Sequence, residues 1–374
     1  MVRRLQSTRS KASAHGSWLV VLCVALLALA QPAHAQQQQQ QPLLVVEQGS
    51  HSAPVRRIDV DAARGLAVTA SDDRTARVWD IASGELRHIL RPLAFGAEGG
   101  RLYGAAIHPQ QAIVAVGGTT GGDGQAHLIY LFDLDNGALL RTIDAKAGNV
   151  RKLVWSRDGT VLLAGLAGAD GLKAFALDGK PLLDERFGGP VFGVAVAANG
   201  LAAAAGLDGS LRVYRAQAGA VAPVSTIAVG QRRAAGLSFS PDGKSLAVAF
   251  ADSSGAALGR DRSHEPIEIF DTASGRSEAK LPVIPVFGGD LRVVAWSADG
   301  RSIFAGGTAY TQDFNFPVVQ YDVAARTTTS ITAVARDSVT DLVALPGGGV
   351  AYSSFDGSWG VLAGGRATPR SSPK

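Results

Sequence analysis

The strongest constraint on the fold is a series of short apolar runs separated by turn-forming residues. In the segment 53–91, four such runs, Val55–Val60, Leu66–Ala70, Ala76–Trp79 and Leu86–Leu90, alternate with the sequences DAARG, SDDR and IASG. No apolar period of 3.6 residues extends across the segment, which argues against helices. The segment is therefore predicted to form four short antiparallel strands.

The same pattern recurs along the rest of the chain. The third run of each unit ends in a large apolar residue, and these residues follow one another at intervals of about 40 to 55, close to the period of a four-stranded unit. They are Trp79, Phe132, Phe175, Tyr214, Phe270, Tyr321 and Leu362. Turns of the form S-x-D-G at Ser156–Gly159, Ser240–Gly243 and Ser297–Gly300 support this alignment. The chain is predicted to be all-β, with seven consecutive four-stranded units.

The first unit resembles one blade of the WD-repeat β-propeller family. Trp79 and Asp80 form the dipeptide that names the family, and Asp73 lies in a tight turn six residues earlier. Ser71 matches the hydroxyl of the second strand, and His51 matches the histidine that precedes a blade. The resemblance implies that His51, Ser71, Asp73 and Trp79 form a structural tetrad joined by hydrogen bonds. An unpaired buried polar group would cost about 1–3 kcal/mol, which explains the need for such a tetrad.

The resemblance also implies how a ring of seven blades would close. The last unit supplies three strands within Val339–Gly364, while the apolar run Leu43–Glu47 belongs to no unit. We expect Leu43–Glu47 to pair into the last blade as its outer strand, so that residues 43–364 form a single seven-bladed β-propeller. Residues 365–374 are then predicted to be a disordered tail.

Residues 1–35 have the three parts of a secretory signal peptide. A basic start is followed by the apolar core Trp18–Ala30 and by the A-x-A site that ends at Ala35. The apolar core has about thirteen residues, fewer than the roughly 20 needed to span a bilayer, so no membrane insertion is expected. We expect cleavage after Ala35, a glutamine-rich disordered leader over residues 36–42, and a periplasmic or secreted protein.

Removal of residues 1–35 leaves a chain without net charge. The whole sequence has 36 basic and 32 acidic residues, and the removed segment has four basic and no acidic ones. Net charge therefore gives no reason to expect nucleic-acid binding. The only cysteine, Cys23, is removed as well, so the mature chain has neither a disulfide nor a thiol nucleophile.

No residue pattern in the mature chain indicates catalysis, a cofactor or a metal site. No two of its histidines lie two or four residues apart, and no H-E-x-x-H motif is present. The glycine-rich segment Gly117–Gly124 leads from strand to strand and lacks the helix start and lysine of a phosphate cradle. There is also no G-x-S-x-G motif. We expect a protein that is not an enzyme.

Three long connections between second and third strands depart from the regular repeat. They are Thr119–His127, Asp252–Glu265 and Thr308–Pro317. We expect them on the face that carries His51, which we call the top face. Their candidate partner-binding residues, chosen because exposed aromatic and charged groups anchor interfaces, are Arg260, Arg262, Tyr310, Phe314 and Phe316. The alternative is that Phe314 and Phe316 pack against their own blade.

Basic residues also recur at the start of the first strand of several blades. They are Arg56, Arg57, Arg151, Lys152, Arg232, Arg233 and Arg292. If side chains alternate regularly, Arg57, Arg151, Arg233 and Arg292 face the mouth of a central channel and form a positive ring that attracts an acidic partner. The alternative is that these residues bond to blade carbonyls and to neighbouring acids such as Asp59 and Asp290.

The resemblance implies a function in molecular recognition, because WD-repeat propellers mostly serve as rigid platforms. We expect a monomeric, non-enzymatic scaffold that binds a protein or peptide through its top face. The chain also resembles the propeller part of bacterial proteins that join WD repeats to a caspase-like peptidase. The alternative is a small-ligand-binding or hydrolytic propeller, lactonase- or quinoprotein-like, that uses the central channel. Only Asp59 and Asp341 suggest themselves as inward acids for such a site.

Overall fold

The computed structural model describes residues 49–372 except 94–98, 122–126, 147, 207, 231, 252–265, 283 and 285. The predicted signal peptide, the glutamine-rich leader, the run Leu43–Glu47, and the candidates Arg260 and Arg262 lie outside these residues. Within them the chain forms 28 strands and one short 3₁₀ turn, Gly168–Asp170.

The strands form seven four-stranded antiparallel sheets, each built from one continuous segment with its strands in chain order. Blades one and two contain β1 (Val55–Asp61), β2 (Leu66–Ser71), β3 (Ala76–Asp80), β4 (Leu86–Leu90), β5 (Leu102–Ile107), β6 (Ile113–Gly118), β7 (Leu128–Asp133) and β8 (Leu139–Asp144). Blades three and four contain β9 (Val150–Trp155), β10 (Leu162–Leu166), β11 (Leu172–Phe175), β12 (Pro181–Glu185), β13 (Val191–Val196), β14 (Leu201–Gly206), β15 (Ser210–Gln217) and β16 (Ala220–Ala228).

Blades five and six contain β17 (Arg233–Phe239), β18 (Ser245–Ala251), β19 (Ile267–Asp271), β20 (Ser277–Leu281), β21 (Leu291–Trp296), β22 (Ser302–Gly307), β23 (Phe316–Asp322) and β24 (Thr327–Ala335). Blade seven contains β25 (Val339–Ala344), β26 (Val350–Ser354), β27 (Trp359–Ala363) and β28 (Arg366–Ser371). The protein is an all-β, seven-bladed β-propeller, as the sequence predicts, and all seven alignment residues from Trp79 to Leu362 lie on third strands.

The core lies between the blades rather than within them. The described residues form seven buried apolar clusters, and each cluster joins residues from two neighbouring blades. Second strands are covered on both faces, which is why β14 (LAAAAG) is buried along its whole length and carries mainly small side chains. Since apolar burial drives this packing, each blade depends on its neighbours for stability.

The ring closes by direct packing of blade one against blade seven. Trp79 and Trp359 lie in one buried cluster with their ring centroids 5.7 Å apart. The Thr340 hydroxyl donates to the Val55 carbonyl oxygen at 2.7 Å, and Arg57 donates to the Thr340 carbonyl oxygen at 3.1 Å. These contacts join the first and last inner strands without exchange of a strand among the described residues.

The C-terminal segment differs from its prediction. Residues 365–374 were expected to be disordered, but β28 pairs with β27, from Trp359 opposite Ser371 to Ala363 opposite Arg366. The outer-strand position that the sequence assigned to Leu43–Glu47 is therefore occupied by β28. Gly364 and Gly365 have positive φ angles of 56° and 74° and form the hairpin turn that returns the chain. Outermost strands tolerate proline, which is why Pro369 does not prevent the pairing.

Candidate functional site

A buried polar network anchors the first blade. His51 Nδ1 bonds to Asp73 Oδ2 at 2.7 Å, and His51 Nε2 bonds to the Thr69 hydroxyl at 2.7 Å. The same hydroxyl accepts the indole N–H of Trp79 at 2.8 Å. His51 and Thr69 are fully buried, and Trp79 nearly so. Burial lowers the pKa of His51, although Asp73 opposes the shift. A neutral imidazole that donates to Asp73 satisfies every group in the network.

Ser71 does not have the role that the sequence suggested, because Thr69 supplies the linking hydroxyl. In the β2–β3 register Trp79 lies opposite Ala67. Thr69 is two residues from that point, about 7 Å along the strand, whereas Ser71 is four residues away, about 13 Å. Ser71 instead donates to the Ala53 carbonyl and accepts the Asp73 backbone N–H, both at 3.1 Å, and so holds the turn.

Asp73 connects the network to the β2–β3 turn. The Thr75 hydroxyl donates to Asp73 Oδ1 at 2.6 Å, and the buried Arg77 approaches Asp73 Oδ2 at 3.6 Å. Burial alone would raise the pKa of Asp73, but the hydrogen bonds from His51 and Thr75 hold it well below its usual range. His51 and Asp73 are thus engaged in fixing Trp79.

Each inner strand has a β-bulge near its first residue, which changes the alternation of side chains at the channel mouth. The first residue of each strand pairs normally, and the residue after it is displaced from the ladder; in β17 the displaced residue is the third. The displaced residues are Arg56, Tyr103, Arg151, Phe192, Ala235, Arg292 and Thr340. They define what we call the mouth, the top end of the central channel.

The bulges also correct the predicted ring of arginines. Arg151 and Arg292 are displaced residues, but Arg57 is the residue after one, and Arg233 comes before the buried Ala234. The four arginines therefore do not occupy equivalent positions. The prediction requires side chains to alternate regularly along each inner strand. It is wrong because the one extra residue of each bulge shifts every later side chain to the other face.

Cationic and aromatic side chains alternate around one side of the mouth. The Arg56 guanidinium carbon lies 4.5 Å from the centre of the Phe355 ring and 5.7 Å from that of Tyr103. The Arg151 guanidinium carbon lies 4.5 Å from the Tyr103 centre and 5.7 Å from the Phe192 centre. These five residues, which we call the mouth arc, extend from blade seven through blades one, two and three to blade four.

Acidic partners neutralise several of the basic residues. Ion pairs join Arg56 to Asp72, Lys152 to Asp341, Arg232 to Glu268 and Arg292 to Asp290. This agrees with the alternative interpretation for those residues, and Asp290 is one of the acids it named. The other, Asp59, accepts backbone N–H groups from Val60 and Ile107.

The Lys152–Asp341 pair obstructs the channel below the mouth. Lys152 lies on the inner strand of blade three and Asp341 on that of blade seven, and the Lys152 Nζ lies 2.9 and 3.1 Å from the two carboxylate oxygens. Because these blades are not neighbours, the pair must cross the channel. Asp59 faces the same region, and burial raises its pKa to about 6 even though Lys152 and the two backbone donors act in the opposite direction.

An aromatic cluster lies on the top face of blade six. The rings of Tyr310 and Phe314 are stacked at 5.3 Å, and Phe287 and Phe316 lie 6.3 and 6.0 Å from Tyr310. Phe314 is 72% exposed, so it contacts its blade through one face only. Phe316 is half-buried, as the packed alternative required. The sequence missed Phe287, which an antiparallel bridge to Tyr310 brings into the cluster.

The family of the chain follows from its first blade and its architecture together. A family model described as WD domain, G-beta repeat matches residues 42–80, a range that includes His51, Asp73 and Trp79. The chain belongs to the WD-repeat β-propeller family. No curated protein matches it.

Two kinds of feature are absent from the described part of this WD-repeat propeller. It contains no group of three or more histidine, cysteine, aspartate or glutamate residues that could hold a metal ion. No helix of the described residues is long and apolar enough to cross a membrane.

Proposed function

We propose that the propeller is a non-enzymatic scaffold that binds a protein or peptide partner through its top face. The observation that carries the proposal is an asymmetry between the two faces. Among the described residues, the exposed large apolar side chains that lie in connections between strands are Leu93, Phe287, Phe314 and Phe355. All four connections are at the end of the blades that carries His51. The other exposed large apolar residues of the described part all lie on outer strands, and they are Leu139, Leu140, Val224 and Ile331.

Exposed aromatic groups beside charged ones are characteristic of interfaces. Phe314 supports this interpretation because it is exposed and also has a φ of 57°, a conformation that costs energy for a bulky residue. Its ring is stacked on Tyr310 and yet remains 72% exposed. This arrangement favours binding, because a stacked and rigid ring loses little freedom when a partner covers it.

The alternative, a propeller that binds or hydrolyses a small ligand inside its channel, is less well supported. The Lys152–Asp341 pair lies across the route that such a ligand would follow. The polar groups of the His51 network are engaged in structural hydrogen bonds.

Export is part of the proposal. It is supported by the basic start, the apolar core and the A-x-A site of residues 1–35. We propose that the scaffold acts as a monomer in the periplasm or the medium, without a cofactor. Mass spectrometry of the protein from its source should give a chain that begins at Gln36; a chain that retains residues 1–35 would contradict export by this route.

The function is tested by partner capture with two matched variants. Phe314 and Arg326 are both exposed and both have a φ of 57°, but Arg326 lies in the β23–β24 turn on the opposite face. Asparagine tolerates this backbone conformation, so Phe314→Asn and Arg326→Asn are comparable changes. A partner captured from extract of the source organism by the parent protein should be lost with Phe314→Asn and retained with Arg326→Asn. The reverse pattern would contradict the use of the top face.

A further inference from the structure

Three arginines near the channel mouth have a buried Nε atom without a hydrogen-bond partner, namely Arg57, Arg151 and Arg233. Each adjoins in sequence a basic residue that does have an acidic partner: Arg56, Lys152 and Arg232, respectively. A buried donor without an acceptor is unfavourable by about 1–3 kcal/mol. The missing acceptor of such a cationic donor can be supplied by an anionic ligand.

Two of the three arginines lie on the same side of the mouth: Arg57 follows Arg56 on blade one, and the guanidinium carbons of Arg56 and Arg151 lie 5.7 and 4.5 Å from the centre of the same Tyr103 ring. Burial lowers the pKa of Arg57, and the positive charges of Arg56 and Arg151 lower it further, against the opposing effect of Asp341. Arg57, on blade one, donates to the carbonyl oxygens of its neighbour Arg56 and of Thr340 on blade seven. Arg151 approaches from blade three, where its guanidinium contacts Tyr103 and Phe192.

These residues line a cup rather than an open channel. The Lys152–Asp341 pair crosses the channel beneath them and forms a floor, while Tyr103 and Phe192 provide aromatic walls. The cations of the cup are Arg56, Arg57, Arg151 and Lys152, and its acids are Asp59, Asp72 and Asp341. One positive charge remains when all three acids are ionised, so one carboxylate would balance the site.

We propose that this cup binds a single carboxylate group of an acidic peptide, with Arg57 and Arg151 as its donors. The inference rests on the proposed function and names the chemistry of that interface. Guanidinium groups suit carboxylates because their parallel N–H donors match the two oxygens. A peptide fits better than a free ion, since the mouth arc continues from the cup to the exposed ring of Phe355 and offers apolar contact to the flanking residues.

The orphaned Nε atoms allow a direct test. In protein labelled with ¹⁵N-arginine, the Nε–H resonances of Arg57 and Arg151 are followed while a triglutamate peptide with blocked termini is added in a buffer of low salt. We expect saturable shifts of both resonances, and no shift with the corresponding triglutamine peptide. Equal shifts with both peptides, or none with either, would overturn the proposal. Shifts with inorganic phosphate but not with triglutamate would also overturn it, in favour of a phosphate site.

Arg292 provides a matched control for Arg151. Both are displaced residues of an inner-strand bulge, but Arg292 is exposed and paired with Asp290. Arg151→Gln should weaken triglutamate binding at least about tenfold, as expected for loss of a charge-assisted hydrogen bond, whereas Arg292→Gln should change it less than about twofold. Equal effects of the two changes would show that triglutamate responds only to the general positive charge of the mouth, and would contradict a specific carboxylate site at Arg151.

The same variants separate this inference from the proposed function. If Phe314→Asn abolishes partner capture and Arg151→Gln leaves it intact, the top face binds the partner but the carboxylate cup is wrong. If neither change affects capture while Arg326→Asn does, the proposed function itself fails. Partner loss with both Phe314→Asn and Arg151→Gln supports the two together.

Discussion

Replacement of Thr69 by valine tests the network that fixes the first blade. Valine keeps the branched shape of threonine but removes the hydroxyl that bonds both His51 Nε2 and the Trp79 indole N–H. Both groups are at most 1% exposed, so water cannot replace the lost partner. Each unsatisfied group costs about 1–3 kcal/mol. The removal of a buried hydroxyl offsets part of this cost, and we expect a net loss of about 2–4 kcal/mol in the free energy of unfolding.

Thr69→Ser is the matched control because it keeps the hydroxyl and removes only a methyl group, at a cost of about 1 kcal/mol. Urea unfolding followed by tryptophan fluorescence compares the variants, and the midpoints should decrease in the order parent, serine, valine. Since Trp79 also packs on Trp359 across the closure, the valine variant should loosen the junction between blades one and seven. A valine variant as stable as the serine variant would show that the hydrogen bonds of Thr69 do not stabilise the blade.

Four further outcomes are expected. Burial raises the pKa of Asp59 from its ordinary value of about 4 to about 6. The folded state therefore binds this proton more tightly than the unfolded state, so the stability that Asp59 contributes is full below about pH 4 and is lost as the pH rises through 6. Relative to Asp59→Asn, the parent should lose about 2 kcal/mol between pH 4 and 8; a constant difference in unfolding free energy would contradict this. Lys152→Met should destabilise the fold by about 3 kcal/mol, because Asp341 then loses its buried partner, and Asp341→Asn in the same chain should recover part of the loss; no recovery would contradict a direct pairing. Deletion of residues 366–374 should lower the urea midpoint, because β27 loses its hydrogen-bonded neighbour, whereas a disordered tail could be removed without effect. Phe314→Asn should change the free energy of unfolding by less than about 0.5 kcal/mol, as for other exposed positions; a larger loss would show that the ring serves the fold.

The repeat could be predicted from sequence because the start and end of each strand depend on residues that are close together in the chain. Turn residues end the runs, and the third strands end in large apolar groups that fill the spaces between blades, as Trp79 and Tyr321 do. The number of blades follows from counting such residues. The last strand was missed because its sequence, RATPRS, is short and polar, and its pairing depends on the free edge of β27 rather than on its own composition.

The candidate site was less predictable because it depends on the register of the strands. The hydroxyl that links His51 to Trp79 comes from Thr69 rather than from Ser71, two residues further along β2. Turn patterns alone do not determine the register of β2 against β3, and so they could not distinguish the two residues. The bulge at the start of every inner strand likewise decides whether Arg151 or its neighbour lies at the mouth. Contacts between distant segments, such as Lys152 with Asp341 or Phe287 with Tyr310, require the closed ring, and no local pattern in the sequence indicates them.

Partner binding by the top face is tested most directly by site-specific photo-crosslinking in cells of the source organism. A photoreactive amino acid is placed at Leu93 or Phe314 on the top face, and at Lys180 or Arg326 on the opposite face, all four being exposed. The same protein should be cross-linked from both top positions and from neither position on the opposite face. Cross-links confined to Lys180 and Arg326 would contradict the assignment of the top face as the binding surface.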